Sequence, residues 1–117
     1  MKKALFAACV LILFSCASAR INKSSNAMPS CLSSKIEIMK NDPSQGEPLS
    51  ISQYAYKGKT VYYVASACCD KYNIVYDSAC TLLGYPDGGY TGKGDGKMLD
   101  FFKEATDKKI IWEKKLQ

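Results

Sequence analysis

The sequence predicts an α+β domain: a small antiparallel sheet of about four to five strands, with two short helices packed on one face, stabilised by disulfides. Three observations carry this. Leu49–Lys57 and Lys59–Ser66 are rich in Ile, Val, Thr and Tyr and meet at Gly58, as two strands of a tight hairpin do. Stretches around Leu32 and Phe101 space their apolar residues as helices do. Four of the six cysteines, Cys31, Cys68, Cys69 and Cys80, lie beyond the N-terminal apolar stretch of a 117-residue chain that holds one small domain.

In the first helix Leu32, Ile36 and Met39 stand at i, i+4 and i+7, Ser30 is the expected N-cap, and Asn41-Asp42-Pro43 ends the element because the residue before proline avoids helical geometry. Ser44–Pro48 is a loop. In the hairpin Tyr54 and Tyr56 share one face of the first strand, while Val61, Tyr63 and Ala65 oppose Tyr62 and Val64 across the second. Aromatic residues on both faces imply one side against a helix and the other partly covered. Cross-strand pairing accounts for this tyrosine ladder; stacking of a ligand is the sharper alternative. Asn73–Tyr76 and Cys80–Leu83 read as further strands joined at Asp77-Ser78-Ala79, and Pro86–Gly96 as a glycine-rich loop. Met98, Phe101, Phe102 and Ala105 then form a helical stripe that Asp95 is expected to cap, before a last strand at Ile110-Ile111-Trp112.

The charge is +5, and with Lys2 and Lys3 in a leader the rest carries +3. That is too weak and too evenly spread for a nucleic-acid partner. Lys108, Lys109, Lys114 and Lys115 suit a solvated, protected edge strand better. No histidine is present, which removes Ser-His and Cys-His nucleophile pairs and His-containing zinc sites together. Met1-Lys2-Lys3 followed by the apolar run Ala4–Phe14, shorter than the roughly 20 residues of a membrane span, reads as an export signal. Leu13-Phe14-Ser15-Cys16 resembles a bacterial lipobox, which would make Cys16 the lipidated first residue, carrying acyl chains such as palmitate. Ala17-Ser18-Ala19 offers ordinary cleavage before Arg20 instead. The lipobox is favoured, because the apolar run stops at Cys16 and a cysteine there is otherwise unexplained. The expected layout is a signal at 1–15, a flexible tether at 16–29 and one domain at 30–117, facing the periplasm or the cell surface from the outer membrane.

An oxidising compartment and an even count favour two disulfides among Cys31, Cys68, Cys69 and Cys80. Neighbours on a strand point to opposite faces, so Cys68 and Cys69 are expected to take separate partners, one Cys31 and the other Cys80; the two arrangements stay open. Redox or soft-metal chemistry at the Cys68-Cys69 pair is the alternative. The glycine loop fails as a phosphate cradle and as an EF-hand, since Asp87, Asp95 and Asp100 lack the spacing. A looser calcium site through Asp87 and Asp95 is less favoured than glycines serving tight turns. Nothing places Asp70 with Asp77 as an acid–base pair, and no catalytic, metal or cofactor set emerges.

The order Tyr-x-Tyr-x-Gly-Lys-x-Val-Tyr-Tyr, then Cys68-Cys69-Asp70, then Pro86-Asp87-Gly88-Gly89-x-Thr-Gly-Lys-Gly-Asp-Gly-Lys resembles an uncharacterised family of small secreted proteins and lipoproteins of Gram-negative bacteria, over about Cys31 to Trp112. The resemblance implies a location and a domain boundary, and no activity. The family pattern carries further cysteines where this chain has Gly84 and Met98, so one bridge of that pattern is lost and the glycine loop is expected to be tied less tightly to the helix at Met98. The function read from the sequence is a lipid-anchored, non-enzymatic envelope module. It binds a protein or small molecule through a loop, Asp87, Gly88, Gly89, Tyr90 and Asp95, or through its tyrosine-rich face. A protease-inhibitor-like module is one version of this, and a thiol-redox protein or a purely structural lipoprotein are the rivals.

Overall fold

The computed structural model describes residues 28–42, 44, 47–67 and 70–115. The export signal, the lipidation at Cys16, most of the tether, and Cys68 and Cys69 lie outside the described residues. The elements run α1 (Ser30–Asn41), β1 (Pro48–Tyr56), β2 (Lys59–Ser66), β3 (Tyr72–Asp77), β4 (Leu82–Gly88), α2 (Phe101–Glu104) and β5 (Thr106–Glu113). The strands form one antiparallel sheet of order β4-β3-β2-β1-β5, so the first four strands make a meander and β5 joins the far side of β1. The chain between β4 and β5 must therefore cross the sheet from one edge to the other.

Side chains alternate between the faces of a strand, and both faces of this sheet are apolar. On one face Ile51, Tyr62, Val64 and Tyr76 bury Leu32 and Ile36 of α1. On the other, Tyr54, Tyr56, Val61 and Val75 bury Met98 and Phe101 from the β4–β5 connection. The two helices thus lie on opposite faces, which corrects the expectation that they share one. The helical spacing marks an apolar stripe, and a sheet with apolar residues on both sides offers that stripe two places to go.

Several boundaries shift for local reasons. Helix α1 begins at Ser30, with Pro29 in the capping position: Pro29 is extended at ψ 139°, and its carbonyl accepts the N–H groups of Leu32 and Ser33 at 3.0 and 3.1 Å. Strand β4 runs on through Pro86 because it is an edge strand, where a residue without an N–H costs no ladder bond. Cys80 is not in a strand; it sits at φ 60° in the β3–β4 turn, where the Asp77 carboxylate accepts the Ala79 and Thr81 N–H groups at 2.9 Å. Helix α2 is a single turn, since glycines hold positive φ as far as Gly96 and the chain turns extended again at Ala105. Along the other edge, β5 is interrupted by two register shifts against β1 and exposes Lys108 and Lys109, devices that protect an edge.

Among the described residues a disulfide joins Cys31 to Cys80, with Cα atoms 6.1 Å apart and a sequence separation of 49. Both expected pairings, each linking Cys31 and Cys80 to separate members of Cys68-Cys69, are overturned. The reason is the length of β3. The β2–β3 connection begins where Ser66 Oγ donates to the Tyr72 carbonyl (3.0 Å), at the start of β3. Six residues of strand, roughly 20 Å at about 3.4 Å per residue, then carry the chain to the Cys80 turn at the opposite end. A bridge tolerates Cα separations of only about 4.4–6.8 Å. Helix α1 starts at that same far end, which brings Cys31 within reach.

Gly84 and Met98, where the resemblance places a further cysteine pair, are spatial neighbours: a Cβ on Gly84 would stand 2.8 Å from both Cγ and Sδ of Met98. Met98 is buried, and its thioether fills the space between the connection and β4.

Replacing Cys31 and Cys80 together by serine is expected to cost about 4 kcal/mol through the entropy of a 49-residue loop. Urea unfolding of the variant, and of the native chain with and without reductant, measures this.

Candidate binding face

Among the described residues, the face that carries α2 is covered over only one half. Ile110, Ser52, Tyr63, Val75 and Gly84 stand in register across all five strands and form a row through its middle. On one side of this row the β4–β5 connection lies over the sheet. Phe101, fully buried, sets its ring 5.2 Å from those of Tyr54 and Tyr56 and 6.0 Å from Tyr63. Phe102 stands outward, half exposed, with its ring 5.6 Å from Tyr63. On the other side the next row is Glu113 and Ser50 in register, then Ala65 opposite Ser50, then Asn73 opposite Asp87. Ser50, Ala65, Asn73 and Asp87 are small or polar and partly exposed, Glu113 is exposed, and none of the five belongs to either apolar core. Leu49, Ser50, Glu113 and Lys114 line a shallow depression at its β5 end.

At the β4 end the polar groups are organised. The Tyr63 hydroxyl donates to both oxygens of Asp87 (3.0 and 3.1 Å), and Asn73 Nδ2 donates to Asp87 Oδ1 at 3.0 Å. The Asn73 Oδ1 in turn accepts the Ser66 N–H at 2.7 Å, which orients the amide. Burial, and then the charge of the Asp87 carboxylate, push the Tyr63 phenol well above its ordinary range. The carboxylate is thereby held in one orientation by two neutral donors, and it makes no ion pair among the described residues.

Asp87 owes its position to the glycines after it. Gly88 has φ +78°, and a Cβ there would meet the Lys71 carbonyl. The Gly89 N–H donates to that carbonyl at 3.1 Å. Gly94, at φ +65°, lies so close to β4 that a Cβ would strike the Tyr85 carbonyl; its N–H donates to the Gly88 carbonyl, and that of Asp95 to Tyr85, each at 3.1 Å. The loop therefore folds back along the outer edge of β4 and leaves Tyr90 almost wholly exposed, at 94%.

Of the expected loop residues, Asp87, Gly88 and Gly89 converge on one structure while Asp95 and Tyr90 do not join it. Asp95 Oδ1 accepts the Lys97 N–H at 3.0 Å, so it closes a turn and does not cap α2. Asp100 precedes α2, and its carboxylate takes the Tyr56 hydroxyl and the Lys57 ammonium at 2.8 Å each, which holds its pKa below the usual range. The calcium reading loses its geometry, because Asp87 and Asp95 turn to different donors. Asp70 and Asp77 stand at opposite ends of β3. The sequence marks Tyr63 only as one member of the tyrosine ladder, gives Ser50 and Asn73 no signal beyond their places in strands, and leaves Glu113 just past the expected last strand.

Comparison with known proteins bears on the same region. Residues 37–114 match the family described as a domain of unknown function, DUF6970. The chain belongs to this family. No curated protein and no solved structure matches it. The matched span of the DUF6970 domain contains all five strands and every residue of the half-open face. No helix among the described residues is long and apolar enough to cross a membrane.

Two outcomes test this construction. Gly94→Ala and Gly88→Ala should each lower stability by about 2 kcal/mol or more, whereas Gly92→Ala, with nothing within 4 Å, should cost only the strain of its φ of +73°; urea midpoints separate them. Since the folded-state pKa of Tyr63 is raised, its contribution is present below the unfolded value near 10 and is lost as the pH rises beyond it. Tyr63→Phe should therefore flatten the fall in stability above that pH, read from melting temperatures across an alkaline series.

Proposed function

We propose that the mature chain is a lipid-anchored envelope protein whose DUF6970 domain is a non-enzymatic binding module, with the uncovered half of the α2-bearing face as its contact surface. One observation carries the binding role. A sheet face that is apolar and capped along one half changes, at the Tyr63 row, to small polar residues with a carboxylate already held by Tyr63 and Asn73. A preoriented polar group beside an aromatic wall, here Tyr63 and Phe102, is how binding surfaces combine area with specificity. The anchor rests on the Leu13-Phe14-Ser15-Cys16 sequence. The lack of histidine, and the placing of Asp70 and Asp77 at opposite ends of β3, support a binding role over a catalytic one.

A second reading has gained an observation of its own. The Cys31–Cys80 bridge takes both partners expected for Cys68 and Cys69, so these two thiols pair with each other, pair with another molecule, or stay free. Thiol–disulfide exchange with a partner's disulfide is the chemistry that such a pair supports.

One measurement addresses both readings: the intact mass of the chain taken from its native membrane and alkylated without reduction. Acyl chains on a product starting at Cys16, with no alkylated cysteine, are the result expected of the anchored binding module. A product starting at Arg20 removes the anchor. Alkylation at Cys68 or Cys69 makes the thiol reading the leading one.

A further inference from the structure

We infer that the uncovered half-face takes a cationic peptide segment laid across the strands, with two basic side chains meeting Asp87 and Glu113. This deepens the binding role proposed above and rests on it. The charged and titratable groups that face this surface can be followed strand by strand. Strand β1 offers Ser50, β2 offers Ala65 and the phenol of Tyr63, β3 offers Asn73, β4 offers Asp87, and β5 offers Glu113. The β4–β5 connection contributes Phe102 at the margin. Within this row both ionised groups are carboxylates, although the chain as a whole is basic, and Lys114 lines the depression beside Glu113. Neither carboxylate makes an ion pair among the described residues. Two lysines at this end of the sheet are engaged elsewhere: Lys114 pairs with Glu47 at 2.6 Å, and Lys71 donates to the Ser44 carbonyl at 2.8 Å.

The two carboxylates stand on the outermost strands of the five-stranded sheet. Four strand spacings of about 4.8 Å separate them by roughly 19 Å. An extended peptide advances about 3.4 Å per residue and alternates its side chains between two faces, so basic side chains six positions apart, roughly 20 Å, reach both from one face. The floor between them is made of Ser50, Ala65 and Asn73, side chains short enough to let a backbone lie close. A guanidinium suits the Asp87 end best, since the fork of a planar cation matches a carboxylate whose rotation is already restrained and can rest on the neighbouring aromatic rings.

The test is an amide-resolved NMR titration of the whole mature chain in neutral detergent with three probes: Arg-Gly-Ser-Gly-Ser-Gly-Arg, Glu-Gly-Ser-Gly-Ser-Gly-Glu, and chitotriose as a neutral saccharide. The expected result is saturable shifts at Ser50, Ala65, Asn73, Asp87 and Glu113 with the arginine peptide alone, weakening as salt is raised. Asp87→Asn and Glu113→Gln should each reduce affinity about threefold, the scale of a solvent-exposed ion pair. Glu113 is exposed and its side chain makes no ion pair among the described residues, so Glu113→Gln keeps the test valid if Asp87→Asn disturbs Tyr63. Equal binding of the glutamate peptide, or arginine-peptide affinity indifferent to both substitutions, overturns the inference. Chitotriose shifting the same amides in place of the peptide overturns the ligand class while leaving the binding face intact. No shift on that face with any probe overturns the peptide assignment and removes support from the binding role with it.

Discussion

The insertion of Phe101 between Tyr54, Tyr56 and Tyr63 is the contact on which the arrangement of this domain depends. The chain leaves the sheet at β4 and must re-enter beside β1, three strands away. A fully buried ring on the sheet surface fixes where that crossing happens. The crossing then covers one half of the face, while on the other half Ser50, Ala65, Asn73 and Asp87 stay partly exposed among the described residues. Without this contact neither the depth of the Tyr63 row nor the exposure of Ser50, Ala65 and Asn73 would be defined.

The two ends of the sheet have different work. At one end the Cys31–Cys80 bridge fastens α1 to the β3–β4 turn, and Asp100 gathers Tyr56 and Lys57 of the β1–β2 hairpin. At the other end the cohesion comes from hydrogen bonds of the glycine loop and of Asp87. This division suits a module that needs a firm base and a polar, accessible surface. The conformational demands of Gly88 and Gly94 show that the most distinctive sequence block of the chain is chiefly architectural: it shields the β4 edge and aims one carboxylate.

The relation of Gly84 to Met98 makes a similar point. Where a covalent link between β4 and the connection would fit, this chain uses a buried thioether against a glycine. Dispersion contacts of a flexible side chain replace a bond, and the crossing keeps its place because Phe101 and the loop hydrogen bonds hold it on either side.

By itself the sequence determined the local elements of this protein. The i, i+4 spacing of Leu32 and Ile36 located α1, the β-branched and aromatic runs about Gly58 located β1 and β2, and the lysines near Ile110 marked an edge strand. Each of these signals depends on neighbours within a few residues, and propensity and alternation report such neighbours directly. Part of the candidate site was legible for the same reason: Asp87 and its glycines form a continuous block. Tertiary structure alone decided the rest. Tyr63 and Asn73 reach Asp87 from 24 and 14 residues away, and nothing in either strand distinguishes them from residues that merely alternate. The pairing of Cys31 with Cys80 follows from the length of β3, which carries the turn away from the neighbouring cysteines. The choice of face for α2 goes with the aromatic site that Tyr54, Tyr56 and Tyr63 offer Phe101. These are contacts between distant parts of the chain, and their geometry exists only once the sheet has closed around its two cores.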